Sequence, residues 1–163
     1  MKSVSFQIPV QIFPDFKSLG VDDALLLEAA KKATGDAYAP YSKFRVGAAI
    51  RLSNGNILSG SNQENASFPA GICAERVVLS AASASFPGVA VTAMAVTYTY
   101  ESGSGDRPIS PCGICRQTLA EYEQRSGTSI RLILGGRAGE IFVIPKATDL
   151  LPFAFSSQEL KAF

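Results

Sequence analysis

The sequence has no histidine, only three cysteines, and no long apolar run. Without histidine, Ser-His-Asp and Cys-His catalysis are both excluded within one chain. A general base working near neutral pH must then be a carboxylate, a lysine, a tyrosine, a cysteine or a metal-activated water. No apolar stretch approaches the roughly 18 residues of a membrane span. Phe6, Ile8, Val10 and Ile12 alternate with other residues, so the N-terminus lacks the continuous apolar core of a signal peptide. Neither sign of charge is in excess: 15 Lys and Arg face 14 Asp and Glu, a formal net of +1. No strong field therefore draws the chain to a polynucleotide or an acidic membrane. Near-neutrality also tolerates association into an oligomer. Three cysteines cannot all pair within one chain, but three free thiols suit a reducing compartment. A cytoplasmic protein is expected.

What is present suits one domain. The chain has 163 residues, and 47% of them are hydrophobic, enough for a real core. No repeat, low-complexity tract or linker divides it. Residues 5–12 read as a short strand that Pro9 confines to a sheet edge. Residues 22–37 read as a helix, with Leu25, Leu26, Ala29, Ala30 and Ala33 on one side. Phe44 to Leu52 alternates as a strand, and Asn54-Gly55 is a hairpin turn leading to a return strand at Ile57-Leu58. An irregular loop over 62–71 precedes a helix from Cys73 to Ala84. Residues 89–98 are apolar and β-branched, as in a buried central strand. A Gly-rich loop spans Glu101–Arg107. Pro111 opens another helix, to about Gln124. Residues 130–134 and 141–144 read as strands, and Ser156 and Glu159 have capping-box spacing. This alternation predicts a mixed sheet covered by helices.

The cysteines fall in two motifs, Cys73-Ala74-Glu75-Arg76 and Pro111-Cys112-Gly113-Ile114-Cys115-Arg116. Cys112 and Cys115 are spaced to grip one metal ion, and Cys73 also stands at a predicted helix start. If the two helix N-termini converge, their positive ends face three thiolates and favour metal ligation. Three protein ligands leave a fourth tetrahedral position open, as in catalytic zinc sites. Glu75 is then placed to move protons without being a ligand. Three thiolates on Zn²⁺ leave a formal charge of −1, so helix ends and cations must compensate. Arg76 is favoured over Arg116 for that role. A redox CxxC pair, a closed structural zinc and an ordinary surface glutamate remain open at this point.

The two motifs match the zinc deaminase pattern of [His/Cys]-x-Glu followed by Pro-Cys-x-x-Cys. More narrowly, the chain resembles the small homotetrameric cytidine deaminases. The resembling blocks are Tyr38-Ala39-Pro40-Tyr41-Ser42-Lys43-Phe44, Val46-Gly47-Ala48-Ala49, Asn62-Gln63-Glu64-Asn65-Ala66 and Gly71-Ile72-Cys73-Ala74-Glu75-Arg76. Ser110-Pro111-Cys112-Gly113-Ile114-Cys115-Arg116-Gln117 and Leu150-Leu151-Pro152-Phe153-Ala154-Phe155 complete them. The resemblance runs over roughly residues 26–160. It implies a three-layer α-β-α sandwich with a mixed sheet of about five strands. It implies one zinc per subunit on Cys73, Cys112 and Cys115, with Glu75 as the proton shuttle and Arg76 supporting the ligands. Asn62 and Glu64 would bind ribose, and Phe44 would wall the pyrimidine. The Ala74 amide and the Ser110 carbonyl would contact the base, and Phe155 would enter from a neighbouring subunit. The implied reaction is hydrolytic deamination of cytidine and 2′-deoxycytidine in pyrimidine salvage, by a homotetramer acting on a free nucleoside. No nucleic-acid polymer and no membrane take part.

The chain departs from the family pattern in three places. Residues 1–21 form an extension, expected to add an edge strand to a single catalytic domain over 22–163. Phe68 stands where many relatives have tyrosine, and the loop over 99–109 is long and Gly-rich. A blasticidin S deaminase-like enzyme is the nearest rival, and Glu64 with Arg76 argues against it. A polynucleotide deaminase would call for a basic stripe with interleaved aromatics. A zinc-stabilised interaction domain without catalysis would leave Glu75 dispensable.

Overall fold

A computed structural model describes residues 1–100 and 105–160. Six strands form one sheet: β1 (Gln11–Phe13), β2 (Phe44–Leu52), β3 (Ile57–Ser61), β4 (Val91–Tyr100), β5 (Arg131–Leu134) and β6 (Ile141–Ile144). Their order across the sheet is β1-β6-β5-β4-β2-β3. Among the strands of the described residues, only β4 and β5 run parallel. The other pairs are antiparallel. The helices are α1 (Val21–Ala33), α2 (Ala74–Ser85), α3 (Gly113–Ser126) and α4 (Ser157–Leu160). The β4–α3–β5 connection supplies the crossover that a parallel pair requires.

The sheet carries a core on each face. Because side chains alternate along a strand, Ala48, Ile50, Met94, Val96, Leu132 and Leu134 pack under α2 and α3. Ala49, Ala93, Ala95, Ile133 and Val143 pack under α1 with Leu26, Leu27 and Ala30. The result is the expected α-β-α sandwich, with six strands rather than about five.

Three details differ from the sequence reading. The first strand is Gln11–Phe13 rather than 5–12, because β6 has only four residues for it to pair with. On α1, Leu25 is exposed and Leu27 is buried in its place, so the buried stripe runs through Leu26, Leu27, Ala30 and Ala33. Pro111 lies ahead of α3, whose N-cap is Cys112. Gly55 takes φ +87° in the expected turn. The Ser156 amide and hydroxyl both donate to Glu159 Oε2 at the start of α4. Of the Gly-rich loop expected over 99–109, residues 101–104 lie outside the described residues.

Candidate metal centre and active site

The three cysteines meet. Cys73 and Cys112 are the N-caps of α2 and α3, and neither side chain makes a capping hydrogen bond. Their sulfurs are thus free for another partner. Both helices present the unpaired N–H groups and positive ends of their first turns at the cluster. Cys115, one turn inside α3, is buried. The three Sγ atoms lie within 4.8 Å of one another. Cys73 and Cys112 are 3.8 Å apart, and Cys112 and Cys115 are 3.5 Å apart. Thiolates about 2.3 Å from one tetrahedral zinc stand about 3.8 Å apart, so the trio fits such an ion. The Cys73 thiol is lowered to about 6, first because Cys115 donates an S–H to it. That donation and burial together push the Cys115 thiol up.

Glu75 sits in the first turn of α2 and is only 4% exposed. Burial pushes its carboxyl above the usual carboxylate range, opposed by hydrogen bonds from its own backbone and from Cys115. A carboxyl that holds its proton more readily can both accept and return one. Arg76 follows it, and its charge helps to lower Cys73. Arg116 is committed elsewhere: Nε donates to the Pro111 carbonyl at 2.9 Å and Nη1 to the Leu150 carbonyl at 3.2 Å.

Above the cluster opens a cavity of about 850 Å³, lined by Phe44, Asn62, Glu64, Cys73, Ala74, Glu75, Ser110 and Cys112. That size suits a small organic ligand. Asn62 spans two positions of β2. Its Oδ1 accepts from the Val46 amide at 2.8 Å, and Nδ2 donates to the Phe44 carbonyl at 3.0 Å. One Nδ2 hydrogen remains for a ligand. Glu64 Oε2 accepts from the amides of Tyr41 at 2.9 Å and Ser42 at 3.3 Å. The Ser42 hydroxyl is the first cause of a Glu64 carboxyl held below its usual range. The turn it ties down includes Lys43 at φ 58°, a left-handed conformation uncommon outside glycine.

Residues 21–127 match the family model for the cytidine and deoxycytidylate deaminase zinc-binding region. The chain belongs to this deaminase family. A cytidine deaminase from Halalkalibacterium halodurans is 36% identical over 140 residues, covering 86% of this chain and 98% of that one. A cytidine deaminase from Sporosarcina psychrophila is 38% identical over 144 residues, covering 86% and 96%. The crystal structure of cytidine deaminase from Burkholderia pseudomallei superposes with a TM-score of 0.69 at 41% identity, covering 80% of this chain and 97% of that one.

Phe155, expected to act in a neighbouring subunit, stands apart from this cavity. Phe155 lines a different hollow, with Ala154 and Gln124, and is 60% exposed. Its carbonyl accepts from Gln117 Nε2 at 2.7 Å.

Three further contacts shape the site and its support. Tyr98 stacks behind Phe44 with ring centroids 4.8 Å apart and an interplanar angle of 22°. The β2–β4 register, which pairs Val46 with Tyr98, sets this contact, and alternation along 89–98 was its signal. Tyr41 and Phe68 form an edge-to-face pair at the cavity mouth. Buried Glu123 accepts from the amides of Ile130, Ala147 and Thr148, tying α3 to the chain on either side of β5 and β6. Nothing in the sequence separates Glu123 from a surface glutamate such as Glu121.

Proposed function

We propose that this deaminase hydrolyses cytidine to uridine and ammonia, with 2′-deoxycytidine as a second substrate. The carrying observation is a buried carboxyl, Glu75, beside three converging thiols, with Glu75, Cys73 and Cys112 lining a cavity large enough for a nucleoside. Cys73, Cys112 and Cys115 would hold the zinc, which when bound supplies the Lewis acidity that readies water to attack C4 of a cytosine ring.

The remaining steps belong to the chain. Glu75 accepts the proton of the attacking water and delivers it to N3. It then carries a second proton to the departing amino group. The helix ends at Cys73 and Cys112, with Arg76, offset the negative charge of three thiolates. The Ala74 amide and the Ser110 carbonyl orient the base. Phe44, backed by Tyr98, lies against its face. Glu64 and the free hydrogen of Asn62 hold ribose hydroxyls.

We further infer a homotetramer in which Phe155 of the partner subunit stacks on the base, since Phe155 stands outside the cavity of its own chain. Residues 22–163 would be the catalytic unit, and pyrimidine salvage in the cytoplasm the setting. No helix among the described residues is long and apolar enough to cross a membrane.

Glu75→Gln tests the assignment. It should keep stoichiometric zinc and lose about 10²–10⁴-fold in turnover, the usual contribution of a positioned acid-base group. Near-normal ammonia release by that variant contradicts it. A zinc-stabilised domain without catalysis would show no ammonia release from either protein.

A further inference from the structure

Two uncharged stretches, residues 3–14 and 150–158, lie side by side in the structure. β1 runs antiparallel to β6, with Gln11 opposite Val143 and Phe13 opposite Ile141. The chain ahead of β1 therefore passes beside the chain that leaves β6. There Phe6 meets Phe153 edge-to-face, with ring centroids 5.0 Å apart at 74°. Both rings keep substantial exposure, 54% for Phe6 and 83% for Phe153. The family match begins only at residue 21, so this contact is made from outside the matched region.

The C-terminal segment is anchored mainly through its backbone and its ends. The Leu151 amide donates to the Thr148 carbonyl, Arg116 holds the Leu150 carbonyl, Gln117 holds the Phe155 carbonyl, and Gln124 bonds Ser157. None of these bonds fixes a side chain of residues 151–155. Phe153 stands in the turn at Pro152–Phe153, only two residues ahead of Phe155. Holding one ring sets the direction of the segment that carries the other.

We infer that the N-terminal strand braces the C-terminal segment and that Phe6 is a positioning residue for Phe155. The inference rests on the reading that Phe155 completes the cavity of a neighbouring subunit. The brace narrows the range of directions from which that ring reaches the base. Its loss weakens binding of substrate and transition state alike, which raises KM and leaves kcat in place.

A double-mutant cycle on the intact zinc enzyme tests this. Phe6→Ala should raise the KM for cytidine about 2- to 12-fold, the range of one aromatic pair, with kcat retained. Phe6→Tyr, which keeps the ring, should restore KM. Deletion of residues 1–9 should match Phe6→Ala. In a Phe155→Ala background, Phe6→Ala should add nothing. Hydrogen exchange of the Leu151 amide should quicken in Phe6→Ala. An unchanged KM in Phe6→Ala, or an equal rise with and without Phe155, overturns the brace and leaves the role of Phe155 standing. A normal KM in Phe155→Ala alone overturns both.

Discussion

Glu64 has two tasks on one side chain. One oxygen gathers the amides of Tyr41 and Ser42, and the carboxylate also faces the cavity. Glu64→Ala should lower kcat/KM for cytidine about 10- to 150-fold, the range for loss of a charged hydrogen bond. Free cytosine, which has no ribose, should lose far less. Glu64→Gln keeps an acceptor for the two amides and should fall between the variant and the parent. Equal losses for cytidine and cytosine would show that the turn at 41–44, and not the sugar contact, is what Glu64 maintains. Asn62 makes the same point about legibility. Its place in the Asn62-Gln63-Glu64 block marks it as a site residue. Its bonds to the β2 backbone join residues 16 and 18 positions apart, and no local pattern encodes such a pairing. Cys73, Glu75, Cys112 and Cys115 were legible because metal and proton chemistry demand rare residue types at short spacings. Phe44 and Phe155 carry no such mark, since phenylalanine is ordinary core material.

At the scale of elements, the packing of α1 on β2 depends on Gly47. A Cβ built there would meet the Ala30 carbonyl oxygen at 2.0 Å and the Thr34 amide nitrogen at 2.8 Å. Both are backbone atoms and cannot turn aside. Gly47→Ala should therefore cost roughly 3 kcal/mol, at the upper end of overpacking, read as a lowered denaturation midpoint with an unchanged m-value. A substitution tolerated at full stability would show that α1 can shift away from the sheet. Helices and central strands were legible because each buries a face, and burial imposes a period of 3.6 or 2. Element ends were less so. The first strand is shorter than its alternation suggests because β6 limits it. Leu25 reads as core by composition, but α1 turns its face toward Leu26 and Leu27. A hydrophobic row records that a helix has a buried side and fixes its azimuth only loosely.

At the scale of the whole molecule, two apolar cores fill the faces of the sheet, and the cysteine cluster belongs to neither. Chelation should abolish activity and lower the melting temperature while the helical circular dichroism at 25 °C persists. Loss of that signal on zinc removal would mean that the metal carries the fold. Assembly has a separate test. Glu75→Gln and Phe155→Ala subunits should each show impaired turnover of cytidine. Co-assembled, an intact Glu75 in one subunit meets an intact Phe155 of the partner subunit, and the KM deficit of the Phe155 variant should be partly relieved. Strict additivity in the mixture would show that each chain works alone.

The most direct measurement is incubation of the purified protein with cytidine, following ultraviolet loss and ammonia release together. The account predicts uridine and ammonia in equal amounts, abolition by a strong chelator, and recovery when zinc is returned. Product formed at full rate by chelated, metal-free protein, or none from protein carrying stoichiometric zinc, would contradict it.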